Sequence, residues 1–214
     1  MIEWKESADG ISLVPVKHPK KNNGSMSLAP GVSFDEAKHE YWYRGRQLSG
    51  VTGLISKKLG LHYDNAFVSE HAEEGIHVHK AIQEFINTGR TESVHPGVRW
   101  LIDRWCHDGS RVDASLILGF HKYSEVLVSD FKQYASAIDI VEEAPDGTMR
   151  IYDIKNGKMN RQYVTWQLSI YKYFIEKRGS TVGECLCISL RDQDVYKIFP
   201  KSAEEVERFL YGSN

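Results

Sequence analysis

The chain predicts an α/β fold in which a mixed central β-sheet is flanked by helices, and three observations carry that expectation. Residues 136–155 place apolar and β-branched side chains (Ile138, Ile140 and Val141, then Met149, Ile151 and Ile154) on either side of Pro145-Asp146-Gly147, a turn signal, and so read as a β-hairpin. Residues 66–88 and 160–178 read as helices, the second with Val164, Leu168, Tyr171 and Ile175 in one apolar stripe. Strand-like runs at 182–190 and 194–199 follow the second helix, so the two kinds of element alternate along the chain.

Taken in order, residues 1–33 are rich in Lys, Asn, Ser, Gly and Pro and read as an N-terminal arm, with a single domain expected over 34–214. A hairpin is expected over 41–48 around Arg44-Gly45, turning at 49–59 into a helix. The helix over 66–88 ends near Gly89, and a second spans 98–106. Strands are expected at 116–121, 123–128, 133–142 and 149–155. Asn160 then caps a helix that runs to Lys177-Arg178 and stops at Gly179, and a last helix covers 202–211. The chain shows no internal repeat and no domain linker. A length of 214 residues with 41% hydrophobic residues is enough for one sizeable core.

Chemistry concentrates in the hairpin. Asp139 and Asp153 each lie seven residues from Asp146, so a symmetric hairpin sets them opposite one another, with Cβ atoms roughly 5 Å apart. Lys155, two residues past Asp153, shares its face. Two carboxylates and a lysine on one face suit metal-assisted phosphodiester hydrolysis, because Mg²⁺ takes oxygen ligands and often only one or two protein carboxylates. The plainer alternative is a surface cross-strand pair worth roughly 0.2 to 1 kcal/mol.

Other residues add to the hairpin. His71, Gly75 and His79 fall at i, i+4 and i+8 on one helix face, and a mid-helix glycine, costing about 0.5 to 1 kcal/mol, predicts close approach of another backbone. His79 is then a metal ligand or a satisfied core histidine. A zinc site of His71, His77 and His79 is disfavoured, since i, i+2 spacing splits His77 from His79. Gln167 and Tyr171 stand at i, i+4 beside the apolar stripe, where a half-buried amide needs partners. Glu125 is either a third acid near the metal or a solvent-facing strand residue. Lys158 and Arg161 sit just beyond the hairpin as candidate phosphate contacts, while Lys17 to Lys21 and Lys57-Lys58 are further basic patches.

Gly-x-x-x-His on a helix (Gly75, His79), a Glu (Glu125), Ile-Asp on a strand (Asp139), Asp-x-Lys (Asp153, Lys155) and Gln-x-x-x-Tyr on the next helix (Gln167, Tyr171) together resemble the PD-(D/E)xK nuclease superfamily, in its RecB-like and phage lambda-exonuclease-like branch. The resemblance covers residues 34–175. It implies a restriction-endonuclease-like core, with His79, Asp139, Asp153 and the Ile154 carbonyl as metal ligands. It further implies Lys155 as the catalytic lysine, Glu125 as an additional acid, and Gln167 and Tyr171 as the supporting pair. It departs at Ser136, Ile76 and Asn156, where relatives often carry Gly, Thr and Thr or Ser; these read as packing variants.

The implied activity is a Mg²⁺-dependent DNA exonuclease, with Mn²⁺ able to substitute, acting on duplex ends in phage-type recombination or DNA processing. The analogy extends to a ring-shaped homo-oligomer and a single-strand annealing partner. An endonuclease on the same site and a non-catalytic DNA-binding module are the alternatives. A net charge of -2 argues against a sequence-independent DNA coat protein. The absence of a phosphate-loop motif and of Gly-x-Ser-x-Gly argues against a helicase and a serine hydrolase. Cys106, Cys185 and Cys187 cannot supply the four thiolates of an iron-sulfur cluster, and the latter two read as core residues of a strand. With no apolar run of roughly 18 residues and no signal-peptide pattern, the expectation is a cytoplasmic protein in a bacterial or phage-infected cell, with no membrane partner.

Overall fold

The structure is a computed structural model and describes residues 4–6, 13–15, 26–61, 65–107 and 121–212. It contains the strands β1 (Trp4–Glu6), β2 (Leu13–Pro15), β3 (Val32–Asp35), β4 (Glu40–Tyr43) and β5 (Arg46–Gly50), then the helices α1 (Val51–Lys58), α2 (Asn65–Thr88) and α3 (Pro96–His107). Next come β6 (His121–Ser129), β7 (Tyr134–Glu143), β8 (Thr148–Lys155), α4 (Arg161–Glu176), β9 (Thr181–Ser189), β10 (Asp194–Ile198) and α5 (Ala203–Tyr211). β1 and β2 pair with each other, and β3 to β10 form an eight-stranded sheet ordered β10-β9-β8-β7-β5-β4-β3, with β6 also on β7. The β5–β7 and β8–β9 pairs are parallel and the others antiparallel, so the sheet is mixed, as expected.

The sheet is packed on both faces. Val164, Leu168, Tyr171 and Ile175 of α4 are all buried and meet Ile138, Ile151 and Cys185 together with Val51 and Ile55 of α1 and Val206 and Leu210 of α5. On the other face Ile140, Ile154 and Ile188 pack with Val78 and Ile82 of α2 and Val98 and Leu101 of α3. Asn160 caps α4 by accepting from the Tyr163 N–H at 3.1 Å, and Ser202 with Glu205 forms a capping box at α5. No described helix is long and apolar enough to cross a membrane.

The β7–β8 hairpin keeps the expected register, pairing Ile140 with Tyr152 and Glu143 with Met149, and Gly147 turns with φ +82°. Its ladder nevertheless stops at Ile140 and Tyr152. β6 pairs with β7 from Ala135 to Glu143 on one edge, passing over Asp139; on the other edge β8 holds residues 140–143 while β5 holds Tyr134 and Ala135. β8 instead runs on beside β9, paired through Lys155 with Ser189. A fork therefore opens at Asp139.

Several expectations are adjusted. Strand β6 is continuous from His121, and residues 116–120, expected to begin a separate strand, lie outside the described residues, as do Lys17 to Lys21. Ordered packing starts before residue 34: Ala29 is buried, and Met26 and Leu28 pack on the core. Among the described residues no other backbone approaches Gly75, where a Cβ would meet nothing within 4 Å. The close approach belongs to Gly97, where a Cβ would lie 2.6 Å from Leu190 Cβ and 2.8 Å from its carbonyl oxygen. We therefore expect Gly75→Ala to raise stability by about 0.5 to 1 kcal/mol through helix propensity. Gly97→Ala should lower it by roughly 1 to 3 kcal/mol through overpacking, both read by urea unfolding.

Candidate metal centre

Three elements converge on the fork. His79 from α2, Glu125 from β6 and Asp139 from β7 each offer a ligand atom, and these atoms lie within 4.8 Å of one another. His79 is carried by the helix face whose neighbours Val78 and Ile82 are buried against the sheet, and its Nδ1 stands 3.4 Å from Asp139 Oδ1. The other Asp139 oxygen, Oδ2, accepts the Ile154 N–H at 2.6 Å. That amide has lost its β7 partner where the strands part, and the carboxylate takes the place of a ladder carbonyl.

Glu125 reaches the centre through an irregularity in β6. The ladder pairs Ser124 with Ile140 and Val126 with Ile138, and passes over Glu125 and Asp139 between them. Glu125 has φ +51°, in the left-handed region that a non-glycine residue occupies at a cost of about 1 to 3 kcal/mol. The facing of β7 changes at the same place. Ile138 lies in the core beneath α4 and Ile140 in the core beneath α2 and α3, although residues two apart on a regular strand share a face.

A second cluster lies on the α4 side. Lys155 Nζ donates to Asp153 Oδ1 at 2.9 Å and to Gln167 Oε1 at 3.3 Å, and sits 5.6 Å from the Tyr163 ring centroid. Gln167 Nε2 donates to Tyr171 Oη at 2.9 Å, and that hydroxyl is 2.9 Å from Ser136 Oγ. Behind Asp153, the Cys187 thiol donates to Oδ2 at 4.0 Å. Asp153, Gln167, Tyr171 and Ser136 are all buried. Sequence reasoning placed the first three here but treated Ser136 as a packing variant and Cys187 as apolar core. A hydroxyl on an inward-facing position of a β-rich run is the signal that Ser136 offered.

The charges within this pair of clusters are set by burial and by one another. Burial pulls the His79 imidazolium down, but Asp139 more than compensates and the group is pushed up to about 9. Burial raises Asp139, yet His79, Lys155 and the Ile154 N–H outweigh it and hold this carboxyl below its usual range. Asp153 goes the other way, pushed up to about 6 by burial against the pull of Lys155. Glu125 is pushed up to about 7 by burial and the neighbouring Asp139. Burial opposes the Lys155 ammonium, but Asp153 and Asp139 raise it above its usual value, so it stays a charged donor at neutral pH. The Cys187 thiol, raised to about 12 by burial and Asp153, stays neutral and able to donate.

One imidazole and two carboxylates at this spacing fit a divalent cation, since Mg²⁺ and Mn²⁺ take carboxylate oxygen and imidazole suits Fe²⁺, Ni²⁺, Cu²⁺ and Zn²⁺. The arrangement refines the expected ligand set. His79 and Asp139 are together and Glu125 joins them, whereas Asp153 lies outside the trio and is held by Lys155. Ile154 enters through its N–H. Lys158 and Arg161 are exposed, beside the start of α4. The side chain of His71 lies outside the described residues.

Two outcomes test the centre. The His79 shift makes a contribution that is complete below its ordinary value of about 6.5 and is lost as pH rises through about 9. Thermal unfolding in EDTA should therefore show stability falling by roughly 2 kcal/mol between pH 6.5 and 9, a slope flattened in His79→Gln and also when Mn²⁺ replaces the EDTA, since the cation would displace the same proton. At the strained position, Glu125→Gly should be at least as stable as Glu125→Gln, by up to about 1 kcal/mol, because only glycine relaxes φ +51°. Comparison with protein-family models and with curated proteins finds no match, so the chemistry of this centre rests on its own geometry.

Proposed function

We propose that this chain is a divalent-cation-dependent deoxyribonuclease, an exonuclease that hydrolyses phosphodiesters of duplex DNA from ends. The observation that carries the reading is the fork between β7 and β8, where the trio of His79, Glu125 and Asp139 adjoins the Lys155–Asp153 pair through Asp139 and Ile154. His79, Glu125 and Asp139 would hold the cation. When bound, such an ion supplies Lewis-acid polarisation and a nucleophile at neutral pH.

The chain's own groups divide the remaining work. Lys155 presents a fixed ammonium that can pair with a phosphate oxygen and offset charge developing in the transition state. Asp153 holds that ammonium at 2.9 Å, and Gln167 restrains it from the other side, itself held by Tyr171. Lys158 and Arg161, exposed just beyond, suit the phosphates that run on from the scissile bond. Mg²⁺ or Mn²⁺ fits the carboxylates, and preference for ends follows the resemblance of the motif order to lambda-exonuclease-like enzymes.

The test is Mg²⁺- and Mn²⁺-dependent degradation of linear and covalently closed circular duplex DNA. Loss of the linear substrate alone, reduced by on the order of 10²-fold or more in Asp153→Asn and in Lys155→Ala, is the expected result. Cleavage of closed circles would replace the exonuclease by an endonuclease. Metal-dependent loss of neither would sink hydrolysis of duplex DNA and leave a binding module.

A further inference from the structure

On a face of α4 next to the one that meets Lys155 lies a notch of about 490 Å³ that the metal centre does not use. Its walls come from the first two turns of α4 (Arg161, Gln162, Thr165 and Trp166) and from the segment after β10 (Phe199 and Lys201). Phe199 is 75% exposed, an unusual place for a phenylalanine, and stands at the rim. Trp166 is fixed by stacking on Phe209, with ring centroids 4.0 Å apart and planes inclined by 17°. Lys201 Nζ lies 5.7 Å from the Trp166 centroid. It also pairs with the exposed Glu205 at 3.1 Å, a solvated contact that costs little to break. Arg161, Gln162 and Lys201 are exposed. Among the described residues no acidic side chain lines the notch.

We propose that this notch is a subsite for single-stranded DNA, in which a base stacks on Phe199 beside Trp166 while Arg161 and Lys201 take the flanking phosphates. The class of ligand follows from the lining. Aromatic faces among positive charges bind nucleobase and phosphate together, and stacking accepts any base because each has a π-face. The Gln162 amide adds donors at the same rim. The volume lies within the range of pockets for small organic ligands, of which one nucleotide is an example. Helix geometry relates the notch to the centre: Tyr163 and Gln167 face Lys155 while Gln162 and Trp166, each one residue earlier and so about 100° round the helix, face the notch, which leaves about a quarter-turn of helix surface between the two sites. A few nucleotides of strand passing the N-terminus of α4 would span it. Assignment to DNA rests on the nuclease reading above; the shape and charge of the notch do not.

The test is fluorescence anisotropy of a labelled (dT)₂₀ and of an abasic oligomer of equal length, in EDTA so that no hydrolysis intervenes. The expected result is tighter binding of (dT)₂₀ than of the abasic oligomer, with Phe199→Ala weakening (dT)₂₀ about tenfold and leaving the abasic oligomer unchanged. Arg161→Gln with Lys201→Gln should weaken both. Phe199 is exposed, so folding of its variant is checked simply by circular dichroism. Equal binding of the two oligomers by the wild type, or unchanged (dT)₂₀ binding in Phe199→Ala, would overturn the subsite. Wild-type hydrolysis of bis(p-nitrophenyl) phosphate with Mn²⁺, read separately, reports on the metal centre, so loss of that activity with the stacking signature retained would sink the nuclease and support the subsite.

Discussion

The hydrogen bond from the Ile154 N–H to Asp139 Oδ2, at 2.6 Å, is the constraint on which the site depends. β7 and β8 part beyond the Ile140–Tyr152 pair while β8 stays paired with β9 as far as Ser189, and splitting strands leave buried amides without partners. An unsatisfied buried amide costs about 1 to 3 kcal/mol, and a carboxylate placed in the fork removes that penalty. Asp139 thus closes the fork, and its second oxygen meets His79. The residue that repairs the backbone is also the one beside which His79 and Glu125 gather.

Charge balance follows from this placement. Asp139, Asp153 and Glu125 approach one another in a partly enclosed region, and such crowding is tolerated because His79 and Lys155 supply positive charge. The two hairpin aspartates diverge in consequence. Asp139, with an imidazolium and an amide on its oxygens, is held low, while Asp153, deeper and with a single strong donor, is pushed up to about 6. The His79 imidazolium stands where a divalent ion held by Asp139 and Glu125 would place its charge, so binding of such an ion would release a proton.

The face of α4 that meets the sheet does two jobs at once. Val164, Leu168 and Ile175 bury it, and Gln167 and Tyr171 enter the same interface as polar residues whose hydrogen bonds are internal. Because Lys155, Gln167, Tyr171 and Ser136 form one chain of bonds, the position of the ammonium is tied to the packing of the core.

Much of this was legible in the sequence. Turn chemistry and alternation located the hairpin and its register, since Pro145-Asp146-Gly147 and the equal spacing of Asp139 and Asp153 are local properties. The i, i+4 relation of Gln167 to Tyr171 and the Asn160 cap are likewise local. What local pattern could not reveal is where the ladder ends, and hence that Asp139 turns to His79 and Ile154 while Asp153 turns to Lys155, because that depends on how β8 and the distant β5 divide one edge of β7. Nor could it show the left-handed backbone of Glu125, the open space at Gly75 or the crowding at Gly97, which are set by neighbours far away in the chain. The sequence by itself determined which chemical groups are present and on which elements; only the tertiary structure decided which of them meet, because contact distances are fixed by how strands and helices share a limited interior.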